Sequence, residues 1–139
     1  MFESIVNNKN SFYKIKKEEI IKAEERMKIK IPLELKKFYE QVGIGFIYSK
    51  EKAINRIIAS EECADIRLRE DVYEYDPDLE LYEEFEEAAM IFFEINEGVY
   101  ASIELNNNET NKIFFADKVI ANSLEEFLVK IEDSNYWNH

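Results

Sequence analysis

The feature that most constrains the fold is the stretch of residues 24–45, in which one amphipathic helix ends and a second begins at a proline. Pro32 suits the first position of a helix, because its φ angle is already helical and the N–H that it lacks would have no partner there. The apolar residues that follow have the spacing of one helix face: Leu35, Phe38, Tyr39 and Val42. Gly43 then stands where a helix commonly ends, and Gly45 lets the chain turn away. This stretch predicts two packed helices followed by an abrupt turn.

The same stretch resembles the N-terminal signature of the SMI1/KNR4 (SUKH) superfamily. The resemblance is carried by a glutamate in the first helix, an Ile-Pro link, a Leu-Lys-x-Phe-Tyr helix and a glycine turn: Glu24 or Glu25, Ile31, Pro32, Leu35, Lys36, Phe38, Tyr39, Gly43 and Gly45. The family usually has Asn-Gly-Gly at the turn, whereas this chain has Val-Gly-Ile-Gly. Two roles stay open for the glutamate, namely accepting hydrogen bonds from the turn near Gly43 or contacting a partner.

Periodicity and turn residues predict the other elements of the N-terminal half. A short helix is possible at residues 2–8, and the first main helix is expected over residues 17–28, with two glutamates in its first turn. Residues 46–48 and 53–59 have the composition of strands, and Ser60 is the expected N-cap of a helix over residues 61–68. For residues 69–87 we expect a loop or short helical turns, because so many carboxylates repel one another.

The C-terminal third predicts an antiparallel meander and a closing helix. Three strand-like runs, residues 89–95, 99–105 and 112–116, are joined by segments rich in Asn and Gly. In the middle strand Val99, Ala101, Ile103 and Leu105 are expected to face the helices, and Tyr100, Ser102 and Glu104 to face out. Ser123 and Glu126 form a capping box for a helix to about residue 131, with a loosely held tail over residues 133–139.

Together these elements predict an α+β fold, in which N-terminal helices and a C-terminal helix pack on an antiparallel β-sheet of about four to six strands. A chain of 139 residues with 46% hydrophobic residues is expected to form a single domain, residues 1–139. The SUKH resemblance implies the same architecture.

The charge of the chain is strongly localised. The formal net charge is -12, and residues 61–87 alone hold 13 Asp and Glu but only 2 Lys and Arg. Nucleic acid is therefore not an expected partner, because phosphate binding needs clustered cations. A basic protein is expected instead, attracted by long-range electrostatics.

The residue types needed for most kinds of catalysis are missing. The chain has no glycine-rich phosphate loop, and its one histidine, His139, is not expected to act in a nucleophilic pair. Cys63 lies among carboxylates that would raise its thiol pKa, so we expect a small buried core residue. A single cysteine and the lack of a leader or an 18-residue apolar run predict a cytoplasmic protein without a membrane segment or cofactor.

Carboxylates are the one abundant chemical resource, and their use is left open. Four interpretations stay open. The carboxylates form a solvated acidic face, a pair that acts as catalytic acid and base, or a protein-binding surface. The fourth interpretation is a Ca²⁺ site on Asp71, Glu74, Asp76, Asp78 and Glu80. The protein-binding surface is favoured because tyrosines, which are typical interface anchors, are interleaved with the charge. The predicted partner-binding residues are Tyr73, Glu74, Tyr75, Asp76, Asp78, Tyr82, Glu83 and Glu84.

The SUKH resemblance implies a function as well. Bacterial members of this superfamily resemble immunity proteins, which bind and block one cognate toxin, often a nuclease. We therefore expect a non-enzymatic antitoxin, a monomer or weak homodimer, that occludes a basic toxin through the acidic, Tyr-containing surface. The alternative is a regulatory or scaffold module of the SMI1/KNR4 type.

Overall fold

The computed structural model describes residues 2–3, 5–7, 9–49 and 53–133, and these residues build an α+β structure on one antiparallel sheet. The sheet has seven strands, which lie side by side in chain order: β1 Ser11–Tyr13, β2 Ile44–Phe46, β3 Arg56–Ile57, β4 Ala89–Asn96, β5 Val99–Glu104, β6 Ile113–Phe115 and β7 Lys118–Ala121. The α-helices of the described chain are α1 Lys17–Met27, α2 Leu33–Gln41, α3 Ser60–Leu68 and α4 Leu124–Asp133. The predicted fold class is confirmed, with one strand more than the predicted upper limit.

Two short 3₁₀ segments, Asp71–Tyr73 and Pro77–Phe85, connect α3 to β4. They correspond to the short helical turns predicted for this acidic region. Phe127 of α4 packs on Phe92 and Phe93 of β4, with ring centroids 5.9 and 5.0 Å away. At the other end of the sheet Phe2 and Phe12 pack edge-on against Phe38 of α2, with ring centroids 4.9 and 5.8 Å away.

The helical pair around Pro32 forms as predicted, with a shift of one residue. Pro32 has an extended ψ of 141° and is the N-cap of α2, and its carbonyl accepts a hydrogen bond from the Lys36 N–H at 2.9 Å. The prediction that it is the first helical residue was therefore wrong, because helical ψ begins only at Leu33. The predicted apolar stripe of α2 is buried throughout.

The glycines after α2 are required by the strand that lies beside them. Gly43 and Gly45 have φ angles of 115° and 149°, and a Cβ added to them would lie 2.0 Å from the Tyr13 carbonyl oxygen and 1.9 Å from that of Ser11. Side chains of any size would thus separate β1 from β2. No strand was predicted at β1, because its three residues are too few for an alternating pattern to show.

The next predicted elements begin and end at different residues. The strands predicted at residues 46–48 and 53–59 reduce to Ile44–Phe46 and Arg56–Ile57. The longer run is shortened because Asn55 has a φ of 48°, which is not extended. Ser60 is not the N-cap of α3 but its first residue, and its buried hydroxyl has no hydrogen-bond partner in the described chain. Ala59 takes the N-cap position without a side-chain hydrogen bond.

The predicted meander is confirmed as β4, β5 and β6, and the sequence analysis missed β7. The prediction that Tyr100 and Ser102 face solvent was wrong, because only 4% and 6% of these residues is exposed. The 3₁₀ segment Pro77–Phe85 covers this face of β5, since the Tyr82 ring packs edge-on against the Tyr100 ring with their centroids 5.6 Å apart. Both faces of this part of β5 are therefore buried.

The ends of the chain are only partly described. Half of the capping box predicted before α4 is present: the Glu126 N–H donates to the Ser123 Oγ at 3.1 Å, whereas the Glu126 carboxylate accepts from the Asn122 N–H at 3.1 Å in place of that of Ser123. At the N-terminal end the described residues form turns, in which the Ile5 N–H donates to the Phe2 carbonyl at 3.1 Å, and not the suggested helix. The loose tail was predicted over residues 133–139; residue 133 is the last residue of α4, and residues 134–139 lie outside the described residues.

Candidate protein-binding surface

The most charged surface of the molecule is the acidic tract, which we define as residues 70–87. It contains ten Asp and Glu and no Lys or Arg. The break Asp-Pro-Asp starts its longer 3₁₀ segment, because the Asp76 carboxylate accepts a hydrogen bond from the Asp78 N–H at 2.9 Å and Pro77 takes the first position. Leu79, Tyr82 and Phe85 recur every third residue, as 3₁₀ geometry requires for side chains on one face.

Arginines hold both ends of the acidic tract. At its start, Arg26 of α1 donates to the Glu70 carboxylate at 2.9 Å and to Asp65 of α3 at 2.6 Å. At its end, Arg69 forms an ion pair with Glu86. The tract is thus fixed to the helices by charge-assisted hydrogen bonds, which are stronger than neutral ones.

A third arginine links the sheet to the tract. Arg56 of β3 donates to Glu94 of β4 at 2.9 Å and to both carboxylate oxygens of Glu62 at 2.8 and 3.0 Å. The Tyr73 hydroxyl donates to the same Glu62 carboxylate. Burial by itself would raise the pKa of Glu62, but the hydrogen bonds from Arg56 and Tyr73 outweigh it and lower the pKa below its ordinary value.

Two of the three tyrosines predicted as interface anchors are buried. Tyr73 is 8% exposed and Tyr82 is 2% exposed, and the Tyr82 hydroxyl accepts a hydrogen bond from the Tyr100 N–H at 2.8 Å. Their side chains hold the tract in place and are not available as surface anchors. Tyr75, in contrast, is 87% exposed.

Two exposed apolar residues of the tract were missed by the sequence analysis. Val72 is 77% exposed and Leu81 is 53% exposed. The period of three that buries Leu79 and Tyr82 leaves Leu81 on the outside, and this period was the available signal. The tract therefore presents Val72, Tyr75 and Leu81 as its apolar surface.

Most carboxylates of the tract point to solvent. The predicted residues Glu74, Asp78, Glu83 and Glu84 are exposed, whereas Asp76 is half-buried and caps the 3₁₀ segment. None of these four exposed residues takes part in an ion pair within the described part of the chain, whereas exposed Glu70 at the start of the tract is paired with Arg26. No group of three or more His, Cys, Asp or Glu side chains among the described residues has a geometry that holds a metal ion.

Cys63 is fully buried, as predicted, but the main cause of its altered pKa differs from the one expected. Burial raises the pKa of the thiol to about 12, and the charge of Glu62 adds to this effect. The Tyr39 hydroxyl lies 3.5 Å from the sulfur. A buried thiol of such high pKa is a poor nucleophile.

The two glutamates of the resemblance motif have different environments. Glu24 accepts a hydrogen bond from the Ile31 N–H at 2.9 Å and forms an ion pair of 3.0 Å with Lys36, whereas Glu25 is exposed. The hydrogen bond expected from the turn near Gly43 thus comes from the link before α2 instead. Pro32, Phe38 and Tyr39 lie in the core, and Gly43 and Gly45 lie against β1.

Among the described residues, no helix combines the length and the apolar character that a membrane span requires.

Comparison with known proteins identifies the family. The sequence profile of the family described as SMI1-KNR4 cell-wall matches residues 17–128. The chain is also similar to a protein of Bacillus subtilis (strain 168) named "Immunity protein YxxD", with 44% identity over 131 residues that cover 94% of this chain and 89% of that protein. No solved structure gives a significant match. The chain belongs to the SMI1/KNR4 (SUKH) family.

Proposed function

We propose that this protein is an immunity protein, which binds one cognate toxin and blocks it without chemistry of its own. The observation that carries the proposal is the 44% identity to a protein named an immunity protein, across 94% of this chain. Because the aligned region covers nearly both chains, the likeness extends to the whole fold and not to one motif. The proposed complex is one-to-one and forms in the cytoplasm.

The acidic tract is the surface that we propose for the toxin. Apart from Glu70, which is paired with Arg26, its exposed carboxylates have no ion-pair partner among the described residues, so a basic partner would satisfy them. Exposed Val72, Tyr75 and Leu81 lie among the charges and supply the apolar contacts that interface centres need. The proposed partner is therefore a basic protein with some apolar surface.

The rigidity of the tract supports this role. Arg26 and Arg69 fix its ends, and the buried Tyr73 and Tyr82 fix its middle. A surface that is already ordered loses less conformational entropy on binding, which favours high affinity. A nuclease is the toxin class that fits best, because the carboxylates would take the positions of substrate phosphates.

Co-purification tests the proposal. The tagged chain is expressed in its native host, and the proteins that it retains at low and high salt are identified by mass spectrometry. We expect one basic toxin in a one-to-one ratio, whose activity the chain abolishes. Retention of resident host proteins without any toxin would contradict the proposal and favour the regulatory alternative.

Matched charge variants test the surface. The tract variant carries Glu74→Gln, Glu80→Gln and Glu83→Gln, and the remote variant carries Glu25→Gln, Glu40→Gln and Glu109→Gln; all six residues are exposed. Both variants lose the same charge. We expect the tract variant to bind the toxin about tenfold more weakly, while the remote variant stays within about twofold of the wild type. Equal affinities of the two variants would show that the tract is only a solvated face.

A further inference from the structure

A pocket opens where the acidic tract meets the far end of the sheet. Its volume is about 340 Å³, and its walls include Phe85 from the end of the 3₁₀ segment and Phe114 from β6. Alanines complete the walls. Both phenylalanines are half-buried, whereas Ile113, the residue before Phe114, is fully buried in the core. The rings of Phe85 and Phe114 thus line the pocket and are not part of the buried core.

Three carboxylates stand around this apolar pocket. Glu84 and Glu87 come from the tract, and Asp117 comes from the turn between β6 and β7. All three are exposed, and none forms an ion pair within the described residues. No lysine or arginine lines the pocket; Lys118 follows Asp117 in the chain but is not part of the wall. The pocket therefore combines aromatic walls with a negative rim, and the cation Arg67 lies close to it, since it donates to the carbonyl of the lining residue Ala89 at 3.2 Å.

We propose that this pocket binds one arginine side chain of the toxin. The inference rests on the proposed immunity function and specifies the chemistry of its partner. The pocket lies at the C-terminal end of the acidic tract, because two of its carboxylates, Glu84 and Glu87, belong to the tract.

Arginine fits this combination better than other side chains do. Its planar guanidinium stacks on aromatic faces and forms paired hydrogen bonds with carboxylates at the same time. Lysine carries a compact and strongly hydrated charge, so it loses more hydration on entering an apolar pocket. A purely apolar side chain would cover the walls but leave three carboxylates partly desolvated and unpaired.

Amino-acid probes test the pocket without the toxin. N-acetyl-arginine methylamide is titrated into the ¹⁵N-labelled full chain, and amide shifts are followed by NMR. Matched probes are the citrulline analogue, which has nearly the same shape without charge, and the lysine analogue. We expect saturable shifts at residues 88–89 and 114–117 with a dissociation constant on the order of millimolar, and at least fivefold weaker binding of the other two probes.

Two variants with equal loss of charge separate the pocket from the general field. The pocket variant carries Glu84→Gln, Glu87→Gln and Asp117→Asn, and the tract variant described above is its control. We expect the pocket variant to lose at least about fivefold in affinity for the arginine probe and the tract variant to stay within twofold. Phe114→Leu, which keeps an apolar side chain but removes the ring, should weaken binding severalfold.

The outcomes distinguish this inference from the proposed function. Absence of saturable shifts, equal binding of the citrulline or lysine probe, or equal losses in both variants would overturn the arginine pocket even if a toxin is captured. Specific binding of the arginine probe would support the pocket even if no toxin is found. Once the toxin is identified, its arginines can be replaced one at a time. The occupant of the pocket is the arginine whose replacement weakens toxin binding to the wild-type protein but not to the pocket variant.

Discussion

Glu24 shows what one carboxylate contributes at the residue scale. It binds the Ile31 N–H in the link and Lys36 in α2, so it joins α1 to the start of α2. We expect Glu24→Ala to lower the free energy of unfolding by about 1–3 kcal/mol, because the partly buried N–H of Ile31 loses its hydrogen-bond acceptor. Glu25→Ala, at the exposed neighbouring position, should change it by less than about 0.5 kcal/mol. Urea unfolding of both variants measures the difference, and equal effects would contradict the assignment of Glu24.

Gly45 is a residue at which a methyl group has no space. A Cβ would lie 1.9 Å from the Ser11 carbonyl oxygen, which belongs to a paired strand and cannot move alone. We expect Gly45→Ala to destabilise the fold by more than the roughly 1–2 kcal/mol of an unfavourable backbone angle. Gly98→Ala is the control, because Gly98 also has a positive φ, of 74°, but the three atoms nearest to its Cβ would all belong to the flexible Asp78 side chain. Thermal unfolding of both variants tests this, and a Gly98→Ala loss as large as that of Gly45→Ala would contradict it.

The Cys63 thiol makes the free energy of unfolding depend on pH in the alkaline range. Its pKa of about 12 in the folded protein lies above the value of an unfolded thiol, near 8.5. The folded state therefore holds its proton longer, and this contribution is complete below about pH 8.5 and is lost as the pH rises toward 12. We expect the free energy of unfolding to fall by about 1–2 kcal/mol between pH 8.5 and 10. Cys63→Ala should flatten that decline in urea titrations, whereas an unchanged slope would contradict the assignment.

At the scale of elements, the acidic tract is a cover for the sheet as well as a charged surface. Tyr82 binds the buried Tyr100 N–H through its hydroxyl and packs on the Tyr100 ring. Burial raises the pKa of the Tyr100 hydroxyl to about 12, in keeping with this enclosed position. The tract and β5 should therefore unfold together.

The hydroxyl of Tyr82 supports a prediction about this cover. We expect Tyr82→Phe to destabilise the protein by about 1–3 kcal/mol, because the Tyr100 N–H would be left buried without a partner. Tyr75→Phe removes the same atom from a side chain that is 87% exposed, and its effect should be within about 0.5 kcal/mol. Hydrogen exchange of the Tyr100 amide, followed together with urea unfolding, tests the pair. Unchanged exchange in Tyr82→Phe would contradict the role of the hydroxyl.

The elements that the sequence predicted well are those with internal periodicity. α2 and the strand β5 are examples, because their apolar spacing is visible in a single segment. β1 and β7 were missed because three or four residues carry no period, and β1 is held by its pairing with β2 and by the contact of Phe12 with Phe38. The burial of Tyr73, Tyr82 and Tyr100 also depends on contacts between distant segments, so no local pattern shows it. The acidic surface was visible in composition, but its apolar pocket required Phe114 and Asp117 to meet the tract.

At the scale of the whole molecule, negative charge is concentrated in one segment of the sequence and in one region of the fold. Residues 61–87 hold 13 of the 30 acidic residues. The described ion pairs of this segment involve Glu61, Glu62 and Asp65 in α3 and only Glu70 and Glu86 in the tract itself. A field of this kind acts over about a Debye length, which is near 10 Å at 0.1 M salt. It therefore influences how fast a basic partner arrives more than how long it stays.

The association and dissociation rates of the toxin should therefore respond differently to salt. We expect the association rate constant with the toxin to fall at least tenfold between low salt and about 0.5 M salt, with a much smaller change in the dissociation rate. The tract variant should associate more slowly at low salt and show a shallower salt dependence, while the pocket variant should mainly dissociate faster, because it loses a close contact. The remote variant, with the same net charge as the other two, separates a local field from total charge. Surface plasmon resonance at several salt concentrations gives both constants, and equal association rates for the tract and remote variants would show that net charge alone steers the partner.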